Sequence, residues 1–250
     1  EAISDSVVTG HPGSRTTSYL VAGDAVAAPA LPDAVRTDLW YVLAGLDVEA
    51  EGDAVAILGD SITDGRGSAT NEQNRWPDEL ARRLLANAAT DDVAVLNMGI
   101  GGNCVLRACL GPSALDRFER DVLGRAGVST LLVLEGVNDI GGSAPDRSAE
   151  VAQELIAAYQ AMIARAHAHG IRAYGATILP FGGSFYDSPE HEAARQTVNA
   201  WIRTSGAFDA VVDLDAALHD PAQPTRLRAA ADDGDGLHPS VAGHRMIAEA

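Results

Sequence analysis

The sequence predicts an α/β protein: a three-layer α/β/α sandwich around a parallel sheet, preceded by a short β-rich N-terminal segment. From residue 53 onward, short apolar strand patterns alternate with helix patterns. Each of these strands is apolar on both faces, as in a parallel sheet that helices cover on both sides. The first fifty residues differ, because Ser, Thr, Gly and Pro separate short apolar stretches, which is typical of strands and loops.

We therefore divide the chain into two parts. Residues 1–50 form the β-rich segment, with short strands expected near residues 18–22 and 39–43. Such a segment is also what the end of an accessory domain would look like. Residues 51–250 form the main α/β domain, and their number suffices for one domain with a sizeable core.

The α/β region begins with a compact apolar run, Ala54–Leu58, which predicts a buried strand. Further strands are predicted over residues 93–97, 130–134, 171–178 and 210–214. Helices are predicted over residues 76–89, 113–123, 148–169 and 189–204, and from about residue 240. Pro77 suits the first turn of the first of these helices, and Gly170 is a good stop for the third.

Composition excludes several classes of function. The net charge is −17, from 35 acidic and 18 basic side chains, which argues against nucleic acid because phosphate binding needs a basic surface. No apolar run reaches the length of a transmembrane helix, so no membrane span is predicted. The chain begins with Glu1 rather than Met, as removal of a leader or of further residues would leave it.

The chain has only two cysteines, Cys104 and Cys109. A disulfide across so short a loop is geometrically allowed if the loop doubles back, and two free thiols are the alternative. No second Cys/His cluster lies nearby in the sequence, so no structural zinc site is predicted.

Polar residues collect where the predicted strands end. The relevant segments are 59–65, 97–103 and 135–139, and a fourth, 235–239, precedes the last helix. In open parallel sheets the chemistry lies beyond the carboxyl ends of the strands, so these distant segments can meet at one edge.

These segments hold the groups that acyl transfer needs. Ser61 follows a buried strand. A serine hydroxyl needs a base within hydrogen-bond reach to act as a nucleophile, and His238 is the candidate base. Asp235 lies three residues before His238 and can accept the imidazole N–H; its spacing favours it over two neighbouring aspartates. Gly102 offers a backbone N–H and Asn138 a side-chain amide, which are suitable donors to an oxyanion.

The four blocks Gly-Asp-Ser, the glycine of the second loop, Gly-Val-Asn-Asp and Asp-Gly-Leu-His resemble, in the same order, those of the SGNH (GDSL-like) hydrolases. The resemblance covers about residues 53–250. It implies a flavodoxin-like parallel sheet, with residues 51–250 as the SGNH catalytic domain. It also implies Ser61 as nucleophile, His238 as base and Asp235 as its orienting acid.

The resemblance further implies an oxyanion hole made of the Ser61 N–H, the Gly102 N–H and the Asn138 amide. Gly102 is chosen by its spacing after Asn97, and the adjacent Gly101 is the alternative. Asp139 is expected to be structural. The likeness extends to a secreted bacterial and fungal branch, so an extracytoplasmic location is expected.

The expected activity is hydrolysis of carboxylic esters through an acyl-enzyme, without a cofactor. Short-chain acyl or acetyl-carbohydrate esters are the expected substrates, on the resemblance alone, and a lipase or thioesterase of the same family is the alternative. Two readings from other classes are a metal-dependent hydrolase using Asp60, Asp64 and Asp139 and a non-catalytic carbohydrate- or lipid-binding module. The sequence does not fix the oligomeric state.

Overall fold

The computed structural model describes residues 10–11, 13–41 and 45–250. The N-terminal segment contains four short strands: β1 (Gly10–His11), β2 (Ser18–Leu20), β3 (Val35–Thr37) and β4 (Trp40–Tyr41). β1 pairs with β4 and β2 with β3, both antiparallel. The predicted β-rich character is confirmed, although part of the strand expected over residues 39–43 falls outside the described residues.

A five-stranded parallel sheet forms the centre of the main domain. Its strands are β5 (Ala54–Gly59), β6 (Ala94–Gly99), β7 (Val128–Leu134), β8 (Arg172–Ala176) and β9 (Ala210–Val212). They lie in the order β6-β5-β7-β8-β9, and all neighbours are parallel. Because β5 lies between β6 and β7, the loops that follow these three strands emerge side by side.

Helices cover the sheet on both sides, which confirms the predicted α/β sandwich. They are α1 (Ser61–Asp64), α2 (Trp76–Leu85), α3 (Ala114–Phe118), α4 (Val137–Gly141), α5 (Ser148–Ala168), α6 (Pro189–Thr204), α7 (Leu214–Leu218) and α8 (Val241–Glu249). α2 packs against α8, and α5 packs against α6. In the part of the chain that the structure describes, no helix combines the length and apolar character needed to cross a membrane.

Several elements differ from prediction for local reasons. α2 ends at Leu85 rather than near residue 89, since the Thr90 hydroxyl and the Asn87 N–H bond to the Leu84 carbonyl and turn the chain toward β6. β9 stops at Val212 because Asp213 caps α7 by accepting the Ala216 N–H. The helix expected over residues 113–123 is α3 followed by a π-helical turn, Glu119–Leu123. A hairpin of β10 (His219–Asp220) and β11 (Gln223–Leu227) was not predicted.

The N-terminal segment is hydrogen-bonded to the loop before α2. The buried Arg75 guanidinium donates to the Ser14 carbonyl and to the Thr16 hydroxyl. The Thr17 N–H donates to the Asn71 side-chain oxygen over 2.8 Å. The segment therefore contacts the main domain through specific polar bonds.

Candidate active site

Ser61 is the first residue of α1, and a single residue, Asp60, separates it from the end of β5. The Asp60 carboxylate caps this short helix by accepting the Ile62 N–H over 2.9 Å. Gly59 leaves no room for a side chain, because an added Cβ would lie 2.2 Å from the Thr63 hydroxyl oxygen. The turn is therefore tight, and it places Ser61 at the carboxyl edge of the sheet.

His238 lies beside Ser61. Its Nε2 is 2.9 Å from Ser61 Oγ, and its Nδ1 is 2.6 Å from Asp235 Oδ2. A carboxylate at Nδ1 favours the tautomer protonated there, which leaves Nε2 free to accept the serine proton. The structure thus brings together three sequence-predicted residues from two loops in a serine–histidine–aspartate arrangement.

Asp235 orients its own loop as well as the imidazole. Its Oδ1 accepts the N–H groups of Leu237 and His238 over 3.0 and 2.8 Å. Partial burial acts to raise the pKa of Asp235, but the hydrogen bonds from the His238 side chain and from the two backbone N–H groups outweigh it, so the pKa falls below its ordinary value. The carboxylate is therefore ionised at neutral pH and can stabilise a positively charged imidazole.

Asn138 lies in the first turn of α4, after β7, and is 8% exposed. Its Nδ2 donates to the Asn103 carbonyl over 2.8 Å, and its Oδ1 accepts the Tyr186 hydroxyl over 3.0 Å. Since a side-chain amide carries two N–H groups, one donor of Asn138 stays available. Its bond to Asn103 joins the loops that follow β6 and β7.

Gly102 adopts a left-handed backbone conformation, with φ +68°. A Cβ there would lie 2.6 Å from Leu110 Cδ1, but Leu110 is exposed and its side chain can move, so it is the backbone angle that favours glycine. At the neighbouring Gly101, a Cβ would lie 3.3 Å from Asp64 Oδ2. The choice of Gly102 over Gly101 as an oxyanion donor stays a prediction.

Cys104 and Cys109 form a disulfide, which decides between the two alternatives left open by the sequence. The bridge follows directly after Asn103, whose carbonyl receives the Asn138 amide. The Asn103 side chain donates to the Leu110 and Pro112 carbonyls over 3.2 and 2.8 Å. The disulfide therefore closes the loop that borders Asn138.

Arg117, on α3, is fully buried, although no pattern in the sequence indicates a role for it. Its guanidinium donates to the carbonyls of Gly59 and Met98, at the ends of β5 and β6, over 3.1 and 2.5 Å. It also donates to Asn103 Oδ1 over 2.9 Å. One buried side chain thus binds the strand end before Ser61 and the loop that holds Asn138.

Buried carboxylates surround Arg117. It pairs with Asp121 and Glu135 at 3.2 and 3.5 Å. Burial raises the pKa of Glu135 to about 8, with Arg117 acting against it. Burial also raises the pKa of Asp60 to about 7, opposed by the Ile62 N–H. Asp60 and Glu135 are only 1% and 2% exposed, so the protein interior below Ser61 is shielded from water.

The three aspartates considered for a cation are engaged elsewhere. Asp60 caps α1, Asp64 contacts His11 at 2.6 Å, and Asp139 accepts the N–H groups of Val105 and Leu106. Within the described ranges, no group of three His, Cys, Asp or Glu side chains is placed to hold a metal ion. Asp139 has the structural role expected of it.

His244 is fully buried between α8 and the loop after α1. Its Nδ1 accepts the backbone N–H of Trp76 over 3.2 Å, and its Nε2 donates to the backbone carbonyl of Arg66 over 2.9 Å. Both ring nitrogens of His244 are thus used in structural hydrogen bonds.

Comparison with known families identifies one match. The model of the GDSL-like lipase/acylhydrolase family matches residues 57–246, which contain all the site residues described above. No curated protein sequence matches the chain.

Solved structures share the fold at low sequence identity. A Desulfitobacterium hafniense protein assigned to the G-D-S-L lipolytic family is 19% identical, with a TM-score of 0.61 over 79% of this chain and 97% of that one. The acetylxylan esterase Axe2 of Geobacillus stearothermophilus is 23% identical, with a TM-score of 0.59 over 79% and 91%. LAE5, an α/β hydrolase enzyme from the metagenome of Lake Arreo, is 19% identical, with a TM-score of 0.57 over 80% and 93%.

Proposed function

We propose, on the premise that this chain belongs to the GDSL-like lipase/acylhydrolase family and is a carboxylic ester hydrolase, that it works through a Ser61–His238–Asp235 triad. The observation that carries this proposal is the 2.9 Å separation of Ser61 Oγ from His238 Nε2, with Asp235 at the other ring nitrogen. A serine hydroxyl is a weak nucleophile and needs such a base within hydrogen-bond reach.

In the first step, His238 Nε2 takes the proton of the Ser61 hydroxyl as Oγ attacks the ester carbonyl carbon. The carbonyl oxygen becomes an oxyanion, stabilised by the N–H groups of Ser61 and Gly102 and by the free N–H of Asn138. His238 then gives its proton to the leaving alkoxide oxygen, so the alcohol departs and an acyl-enzyme remains. Asp235 stabilises the transient imidazolium.

In the second step, His238 takes a proton from water as the water oxygen attacks the acyl carbon. The same three donors stabilise the second oxyanion. When the tetrahedral species collapses, Ser61 Oγ leaves and recovers its proton from His238, and the carboxylic acid is released. This chemistry needs no cofactor.

For the substrate, we propose short-chain acyl esters, with acetylated carbohydrate as the preferred class. Phe185 supports this choice, because its ring is 74% exposed and lies 4.3 Å, centre to centre, from the ring of Tyr186, which bonds to Asn138. An exposed aromatic ring next to Tyr186 can stack on the apolar face of a sugar ring. The name of the Geobacillus neighbour, an acetylxylan esterase, points the same way.

The triad is tested with the substitution Ser61→Ala and 4-nitrophenyl acetate as substrate. We expect turnover to fall at least about 10³-fold with unchanged folding, because no other group replaces the nucleophile. Ser205→Ala, at an exposed serine after α6, is the matched control and should keep full activity. A serine-directed phosphonate should label Ser61 stoichiometrically; an active Ser61→Ala enzyme would refute the triad.

Substrate class is tested with an acyl series from acetate to octanoate and with acetylated xylo-oligosaccharides. We expect activity to decline with chain length. Phe185→Ala should raise KM for the oligosaccharide and leave KM for 4-nitrophenyl acetate nearly unchanged. A preference for octanoate would favour the lipase alternative, and a preference for acyl thioesters the thioesterase.

A further inference from the structure

Tyr186 holds the side-chain amide of Asn138 from the side opposite Asn103. The Tyr186 hydroxyl donates to Asn138 Oδ1 over 3.0 Å, while Asn138 Nδ2 donates to the Asn103 carbonyl over 2.8 Å. The amide is thus held at both its oxygen and its nitrogen. The residues that make these bonds come from three separate loops, after β6, β7 and β8.

The orientation of this amide decides whether Asn138 can help catalysis. Rotation by 180° about the last side-chain bond exchanges its oxygen and nitrogen with almost no change in shape. The nitrogen offers an N–H to a developing oxyanion, whereas the oxygen would repel it. The Tyr186 hydroxyl, as a donor to Oδ1, and the Asn103 carbonyl, as an acceptor from Nδ2, together favour the orientation that presents the N–H. They also restrict the motion of the amide group.

The phenol of Tyr186 is itself firmly placed. Its ring packs on Gly141 of α4 so closely that a Cβ there would lie 2.1 Å from Tyr186 Cγ. The backbone carbonyl oxygen of Tyr186 lies 2.7 Å from His191 Nδ1. Burial, together with the Asp60 carboxylate, raises the pKa of Tyr186 above its ordinary value of 10.0. The hydroxyl therefore keeps its proton and stays a donor at neutral pH.

We propose that Tyr186 is a positioning residue for ester hydrolysis, which directs the free N–H of Asn138 at the oxyanion. The inference rests on the proposed function, since it assumes that Asn138 is an oxyanion donor. Tyr186 touches neither the nucleophile nor the reacting carbonyl in this scheme, so it acts only through Asn138. Its effect should therefore appear in the chemical step rather than in substrate binding.

The first test is Tyr186→Phe, which removes one oxygen and keeps the ring on Gly141. We expect kcat for 4-nitrophenyl acetate to fall about tenfold with KM changed less than about twofold, a smaller loss than deletion of an oxyanion donor causes. Tyr174→Phe, in β8, is the matched control, because its hydroxyl has no hydrogen-bond partner in the described part of the chain. An unchanged kcat in Tyr186→Phe would overturn the proposal.

A double-mutant cycle separates positioning from a structural role. In an Asn138→Ala background, Tyr186→Phe should cost nothing more, because the amide that it orients is gone. An equal loss in both backgrounds would overturn the proposal, and so would an Asn138→Ala enzyme of full activity. An active Ser61→Ala enzyme would instead reject the proposed function.

Discussion

His238 Nε2 lies 2.9 Å from Ser61 Oγ although 177 positions separate the two residues in the chain. The parallel sheet makes this proximity possible, since β5 lies between β6 and β7 and ends at Gly59, two positions before Ser61. The loop of His238 and Asp235 completes the arrangement from the far end of the chain.

The bond between Asp235 and the imidazole is tested with Asp235→Asn. The asparagine oxygen can still accept the Leu237 and His238 N–H groups, so the loop keeps its shape. Its NH₂ group, however, faces Nδ1 and favours the wrong imidazole tautomer. We expect kcat to fall about 10³- to 10⁴-fold, measured by steady-state kinetics.

Asp233→Asn is the control for this change, because Asp233 is an exposed neighbour on the same loop. It should keep nearly full activity. Equal losses in the two variants would show that the loop depends on its overall charge rather than on the pairing of Asp235 with His238.

Removal of the Asn138 amide tests the oxyanion hole. Asn138→Ala should lower kcat about 10²- to 10³-fold, the usual cost of one lost donor. Asn87→Ala, at an exposed asparagine after α2, should be silent. If Asn138→Ala instead raises KM and leaves kcat intact, then Asn138 binds the ground state and the transition state equally well and is not a specific oxyanion donor.

The disulfide has a predicted effect on both stability and activity. It closes a loop with a sequence separation of only 5, so chain entropy gives it about 2 kcal/mol. Because Asn103 precedes the bridge and holds Asn138, the Cys104→Ser/Cys109→Ser double variant should also lose kcat. Urea unfolding measures the change in stability. Steady-state kinetics, at a temperature where the wild-type protein and the variant are both fully folded, measure the change in kcat. An unchanged kcat would mean that Asn103 keeps its position without the disulfide.

His244 predicts a pH dependence of stability. Burial lowers its pKa from 6.5 to about 4, against the opposing bond to the Arg66 carbonyl. As the pH falls below about 6.5, the unfolded chain takes up this proton first, so the free energy of unfolding falls. Through this one group, the free energy of unfolding at pH 5 should be about 2 kcal/mol lower than at pH 7 or above.

The variant His244→Gln cannot take up this proton. The difference between its acid destabilisation and that of the wild-type protein therefore gives the contribution of His244, separate from that of the carboxylates. Urea unfolding at several pH values between 5 and 7.5 should show a shallower acid loss for the variant than for the wild-type protein. Parallel curves would show that His244 is not the group responsible.

The sequence allowed the main sheet and the proximity of the site loops to be predicted, because apolar strands and the polar segments after them are local patterns. The helix Pro189–Thr204 has the predicted bounds, since Ser188 caps it and Pro189 begins it. The four- and five-residue helices α1, α4 and α7 were missed, since so few residues carry no helical periodicity. β11 was missed because its sequence, Gln223–Leu227, is mostly polar and contains a proline.

The roles of residues whose partners are distant in the chain could not be predicted from the sequence. Arg117 looks like a solvent-facing charge on a helix, and only the fold brings the Gly59 and Met98 carbonyls to it. Tyr186 lies in a loop where nothing local indicates a bond to Asn138, 48 positions away. The disulfide could not be decided from spacing, since the geometry depends on how the loop turns.

Arg117 has a consequence for how this enzyme can change over generations. Its five N–H donors reach the ends of two strands and the Asn103 side chain, a fan that a single ammonium group cannot reproduce. A lysine there would loosen the strand end before Ser61 and the Asn103 loop that binds Asn138 at the same time. Variants of this chain should therefore diversify freely in the loops that face substrate while position 117 stays arginine.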